Sequence, residues 1–252
     1  MAVTAQFIMT TVGYTIGMNI QDTFEESIRS SDLPDVAINV TETSIDALLK
    51  NDLLKQIPIV KLFIGVTETG INIRDKLFLK KILSFLANID DVAPDERRKV
   101  IDTIDTSRKY RLSVGEKLLY ILDSCADHES AERIARLFRA VLTKLISYGE
   151  YLEAASILVR ISTRELEIFL GAYKQTSVDD DAKELVHTGL VFVESEDVSV
   201  DLQKMTQDDW DDPEEHYETK VNGGGTFLLP TDAGDTIYTV FGKDNEEPKV
   251  LP

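Results

Sequence analysis

Cysteine is almost absent from this 252-residue chain: Cys125 is the only one, beside three histidines and a single tryptophan, Trp210. One thiol excludes an intramolecular disulfide framework and a cysteine-based zinc finger. Basic residues are also scarce, 27 Lys and Arg against 45 Asp and Glu, for a net charge of −18. That excess argues against bulk binding to nucleic acid or anionic lipid, since both are polyanions. Long apolar runs are missing too. Ile57 to Val66 is short and is interrupted by Pro58 and Lys61, which reads as a core helix rather than a membrane span. No nucleophile elbow, zinc motif, dinucleotide fingerprint or kinase signature occurs. Asn222-Gly223-Gly224-Gly225 lacks a following Gly-Lys-Ser/Thr and reads as a turn between strands. What the chain does have is 43% hydrophobic residues, enough to build a core.

Charge divides the chain into three. Residues 1–49 carry 1 basic and 7 acidic residues, 50–175 carry 21 and 18, and 176–252 carry 5 and 20. Such asymmetry suggests units with different surfaces. Residues 1–42 read as an uncharged, strand- or hairpin-like start, rich in Thr, Val and Ile, followed by an acidic linker. The first basic residue is Arg29, so the positive region of a secretory signal is lacking and a cytoplasmic location is expected. Residues 43–175 read as a helical domain and 176–252 as a small acidic α/β unit. The expected fold is mainly α: a multi-helix bundle followed by a winged-helix-like C-terminal unit.

Apolar residues recur at helical spacing through the middle third. Ile45, Leu48, Leu49, Leu53 and Leu54 mark one helix. Ile73, Leu77, Phe78, Ile82, Leu83, Phe85 and Leu86 mark another, with Lys76, Lys80 and Lys81 on its exposed face. Pro94, Asp95 and Glu96 suit a helix start. Ser113…Glu116 and Ser162…Glu165 are capping boxes. Residues 130–147 form the strongest pattern, with Ile134, Leu137, Phe138, Val141, Leu142 and Leu145 inward and Tyr148-Gly149 ending it.

The stretches Ile57-Pro58-Ile59-Val60-Lys61 and Ile71 to Leu83 resemble a family of uncharacterised helical proteins of bacteria and their mobile elements. Val114-Gly115-Glu116-Lys117-Leu118-Leu119, followed by Asp127-His128-Glu129-Ser130-Ala131, extends that resemblance over roughly residues 50–160. The layout of a helical body and a small C-terminal α/β unit is also loosely similar to abortive-infection alpha-type proteins. The resemblance implies a helical fold and a role in bacteria–phage conflict, that is, antiviral defence. It assigns no catalytic residue.

After Tyr173 the pattern becomes helix (Asp179 to His187, with Ala182, Leu185 and Val186 inward), buried strand (Leu190 to Val193), loop, strand (Phe227 to Leu229) and helix (from Thr231 through Ile237, Val240 and Phe241). That order resembles a winged-helix ending. Asp179, Asp180, Asp181 and Glu184 stand where a DNA reader places Arg or Lys, which disfavours direct nucleic-acid binding. The candidate site is Asp208, Asp209, Trp210, Asp211, Asp212, Glu214 and Glu215: an aromatic among acids, suited to anchoring a basic protein partner. The run lacks the alternating ligands, central Gly and distal Glu of a calcium loop, so no metal or other cofactor is assigned. Cys125 and His128 form a conceivable thiolate–imidazole pair without a family signature, and His187 and His216 read as structural. The leading expectation is therefore a non-enzymatic, cytoplasmic interaction or regulatory protein that engages a basic partner and has the option of forming homo-oligomers. A membrane-acting antiphage effector using residues 1–20, and a metal-dependent enzyme with an unfamiliar site, stand as alternatives.

Overall fold

Side-chain caps and apolar stripes set out most of the helices. The computed structural model describes residues 19–30, 44–52, 54–65, 72–173, 184–204 and 217–242. In chain order the helices are α1 (Ile20–Arg29), α2 (Ile45–Leu48), α3 (Pro58–Gly65), α4 (Ile73–Ala87), α5 (Pro94–Asp105), α6 (Val114–Ser124), α7 (His128–Leu142), α8 (Tyr148–Leu158) and α9 (Thr163–Ala172). Then follow β1 (Val191–Ser195), β2 (Ser199–Lys204), β3 (Tyr217–Asn222), β4 (Thr226–Pro230) and a last helix, α10 (Asp232–Phe241). The described chain is thus mainly helical, with a small antiparallel strand region near its C-terminal end.

The two fifteen-residue helices α4 and α7 pack along each other at the centre of the body. A chain of aromatic rings crosses this core, from Phe24 to Phe85 (5.9 Å), Phe138 (5.7 Å) and Tyr151 (5.4 Å). Tyr148 stacks on Tyr151 and meets the Tyr110 ring edge-on. Such offset and edge-on pairs satisfy the ring quadrupoles while removing large areas from water.

The sequence reading puts residues 1–42 in a strand-like start and a linker, but residues 20–29 are a core helix. Asn19 caps α1 by accepting from the Gln21 N–H (3.1 Å). Ile20, Phe24 and Ile28 then fall on one face and are buried. Ser27 is buried as well, yet satisfied: its Oγ donates to the Thr23 carbonyl (2.8 Å) and accepts from the Ile59 N–H (2.9 Å) at the start of α3. At the other end of α1, buried Arg97 donates Nη2 to the Ser30 carbonyl (2.7 Å) and Arg98 donates Nε to that of Arg29 (3.0 Å). Cations belong at a helix C-terminus, where carbonyls are left without partners.

Three helical expectations need correction. Ile73 and Leu77 belong to the apolar set of α4 yet are 72% and 56% exposed: they lie near its N-terminal end, where Leu77 borders the open cleft beside His128. α7 ends at Leu142 rather than near residue 147, leaving Leu145 half-exposed. Tyr148-Gly149 does not break a helix but begins α8, with Ser147 and Glu150 as a complete capping box. Ser162 and Glu165 form the expected box at α9, whereas at α6 the Ser113 half, accepting from the Glu116 N–H, is present.

The C-terminal unit is docked onto the bundle. α10 lies against α7 and α8 and buries Ile237 and Phe241 in the same core. Its N-cap, Thr231, accepts from the Gly234 N–H (3.0 Å) and donates to the Gly189 carbonyl (2.8 Å). Gly234 crosses the strand so closely that a Cβ there would sit 2.3 Å from the Leu190 carbonyl oxygen. Tyr173 stacks on Tyr238 and donates to Asp235 (2.7 Å), fixing α10 to the end of α9.

Candidate interaction site

β1 pairs antiparallel with β4, and β2 with β3. Both ladders share one register: Val191 faces Pro230 and Ser195 faces Thr226, then Ser199 faces Asn222 and Lys204 faces Tyr217. Three residues separate the ladders on each strand, and the Glu196 N–H donates across that gap to the Gly225 carbonyl (2.8 Å). The four strands are therefore one two-stranded ribbon, up to about 45 Å long at the usual rise per residue. Gly223 and Gly224 take positive φ (+83° and +79°) in the gap, and a Cβ on Gly223 would lie 2.0 Å from the Asp197 carbonyl oxygen. The glycine-rich turn thus joins two strands, as expected, but as a joint within a longer ribbon.

Only the root of the ribbon is buried. Leu190 and Val191 pack into the core, but Phe192 and Val193 are half-exposed, so the expected fully buried strand, Leu190 to Val193, is buried over its first two residues and half-exposed over its last two. Val186 is likewise exposed, while Leu185 is inward as read. Farther out the exposure rises: Val198 62%, Val200 60%, Leu202 70% and Val221 63%. Alternation puts Val200 and Leu202 on one face of the outer ladder, and Val221, directly opposite Val200, shares it. Ser199, Asp201, Lys220 and Asn222 take the other face, where Asn222 donates to Asp201 (3.0 Å). Glu194, Glu196, Asp197 and Asp201 are all exposed along the same strand. Over residues 191–230 there are 11 acidic and 2 basic residues.

The site read from sequence, Asp208 to Glu215 with Trp210, lies outside the described residues, between β2 and β3 in the chain. So do Asp179, Asp180, Asp181, Ala182 and His216, while Glu184 is described and exposed. Of the uncharged stretch 1–20, Asn19 and Ile20 are described and belong to α1. No helix among the described residues is long and apolar enough to cross a membrane. The Cys125 thiol is buried and donates to the Ile121 carbonyl (3.4 Å); burial lifts its pKa to about 12, so it stays a thiol at neutral pH. Its neighbour His128 lines a cleft of about 250 Å³, where Asp127 caps α7 and Lys81 donates to the Cys125 carbonyl, with Arg74, Lys80 and Asp123 also on its walls. His187 lies 3.6 Å from Glu165.

A second surface was not legible in the sequence. Between α5 and the α7–α8 turn runs an open groove of about 560 Å³, floored by Val100, Ile104, Val141, Leu145 and Ile146. Lys99 and Lys144 stand on its rim, and Glu150, the one acid lining it among the described residues, is held by the N–H of Ser147 (2.6 Å). Lys144 has φ +60°, the sole non-glycine in the left-handed region among the described residues. Residues 99–104 and 141–150 come together only through packing, and no spacing rule anticipates it.

Family models, curated proteins and solved structures were compared with the chain, and none matches.

Proposed function

We propose that this is a non-enzymatic interaction protein, regulatory in role, that presents the acidic ribbon to a basic protein surface. The observation that carries it is the outer part of the ribbon: Val198 at the joint and Val200, Leu202 and Val221 in the outer ladder are each more than half exposed, on a ribbon dense in carboxylates. An apolar strip kept in water adds nothing to the stability of the free protein, and such patches mark binding surfaces. Covering a side chain of this size contributes about 1.5–3 kcal/mol when complete. The flanking carboxylates steer a basic partner and repel polyanions within the screening length. Both outer strands are also sheet edges among the described residues, open to pairing by a partner strand. The setting that the sequence resemblance implies is bacteria–phage conflict.

The test compares the intact protein with a Val200→Ser/Leu202→Ser variant in a pull-down from host extract, at about 50 mM and about 500 mM salt. Basic proteins held by the intact protein at low salt, and lost on either change, are the expected result. Equal capture by both proteins would move the binding surface off the ribbon.

A further inference from the structure

We infer that the groove between α5 and the α7–α8 turn receives the outer ribbon of a second copy of this chain, giving head-to-tail self-association. The inference rests on the ribbon being a docking surface and names one partner for it. The two surfaces match in chemistry. The groove is apolar along its floor, with Lys99 and Lys144 on its rim. The ribbon offers Val200 and Leu202 on one face, with the carboxylates of Glu196, Asp197 and Asp201 exposed along the same strand. Neither rim lysine makes an ion pair among the described residues. The whole chain repeats the match, since residues 50–175 hold 21 basic and 18 acidic residues while 176–252 hold 5 and 20. A second copy therefore meets attraction along this path and repulsion when two ribbons approach each other.

Within one chain the surfaces do not cover each other. Leu145 in the groove is 51% exposed and Leu202 on the ribbon 70%. Lys144 adds a further sign. Its left-handed backbone favours glycine, so a lysine there sets the rim's charge against local conformational preference. A ribbon of one copy in the groove of the next uses two different patches, so the contact is heterologous: each copy keeps a free ribbon at one end and a free groove at the other.

The experiment is sedimentation equilibrium of the intact protein up to about 100 µM, a range suited to a small interface. Two full-length variants accompany it, Val200→Asp/Leu202→Asp on the ribbon and Lys99→Glu/Lys144→Glu on the groove, each checked for folding by circular dichroism. The intact protein is expected to associate with rising concentration. Each variant alone should associate at least about tenfold more weakly. Mixed together, the two variants should form a 1:1 pair and nothing larger, because one supplies the intact groove and the other the intact ribbon. A monomeric intact protein overturns the inference. So does a groove variant that self-associates normally, which would mean ribbon-to-ribbon pairing. If the intact protein is monomeric yet still captures basic proteins through Val200 and Leu202, the self-docking inference falls and the proposed function stands.

Discussion

Lys144 shows how one backbone angle separates stability from binding. The turn after α7 closes through the Leu145 N–H, which donates to the Ala140 carbonyl (2.8 Å), and this geometry puts residue 144 at φ +60°. An L-residue with a Cβ is disfavoured there by about 1 kcal/mol relative to glycine. Lys144→Gly should therefore raise stability by about 1 kcal/mol, or about 2–4 °C in thermal midpoint. The same change removes a rim charge and should weaken self-association. A thermal melt and a sedimentation run on one sample check both signs; a lower midpoint would show that the lysine side chain stabilises the turn. At Gly115 the constraint is space: a Cβ would sit 2.8 Å from that of Glu25, which is why α6 can cross α1 so closely.

At the scale of elements, the ribbon divides at its joint. The inner ladder shares the core through Val191, while the outer ladder exposes its apolar residues. Replacing residues 196–225 by Asn-Gly joins Ser195 to Thr226, which already face each other, through a favoured two-residue turn. The expected thermal midpoint is no lower than that of the intact protein, within the effect of about 0.5 kcal/mol usual for surface changes. A fall of several degrees would make the outer ladder part of the fold's support. Elements of this kind differ in how far the sequence declares them. Ser162…Glu165, Pro94 and the Thr231 cap were readable because caps are local chemistry. α1 was obscured because Thr23 and Ser27, polar by type, are buried and hydrogen-bonded within it. β2 and β3 are not legible in the sequence despite the alternation Val198, Val200, Leu202, since charged and polar neighbours outweigh a short period-two signal. The exposure of Ile73, Leu77 and Leu145 shows the converse limit: periodicity gives the face of a helix but not where its cover ends.

For the whole molecule, burial of weak acids sets the response to alkali. Burial raises Cys125 from about 9 to about 12, and lifts the hydroxyls of Tyr148 and Tyr151 well above their ordinary value near 10. Neither tyrosine hydroxyl has a hydrogen-bond partner among the described residues. The unfolded chain loses these protons first, so above pH 9 it binds fewer protons than the folded one. Stability is accordingly complete below about pH 9 and declines as pH rises toward 12, by about 1.4 kcal/mol per unit for each group titrating. The urea midpoint should stay level from about pH 7 to 8.5 and then drop, and Cys125→Ala should flatten the first part of that drop. A midpoint unchanged to about pH 11 would mean that these groups ionise in the folded protein.

The clasp at the ribbon's root also orders events in time. Thr231 bonds Gly189 across 42 positions, and α10 must seat over Leu190 to complete it. During synthesis at about 5–20 residues per second, the 68 positions from Tyr173 to Phe241 take about 3–14 s. For that interval the helices through α9 exist without their last cover, and the surfaces of α7 and α8 that meet Ile237 and Phe241 face the solvent. The nascent chain then passes its most acidic stretch, and only afterwards gains the helix that closes it.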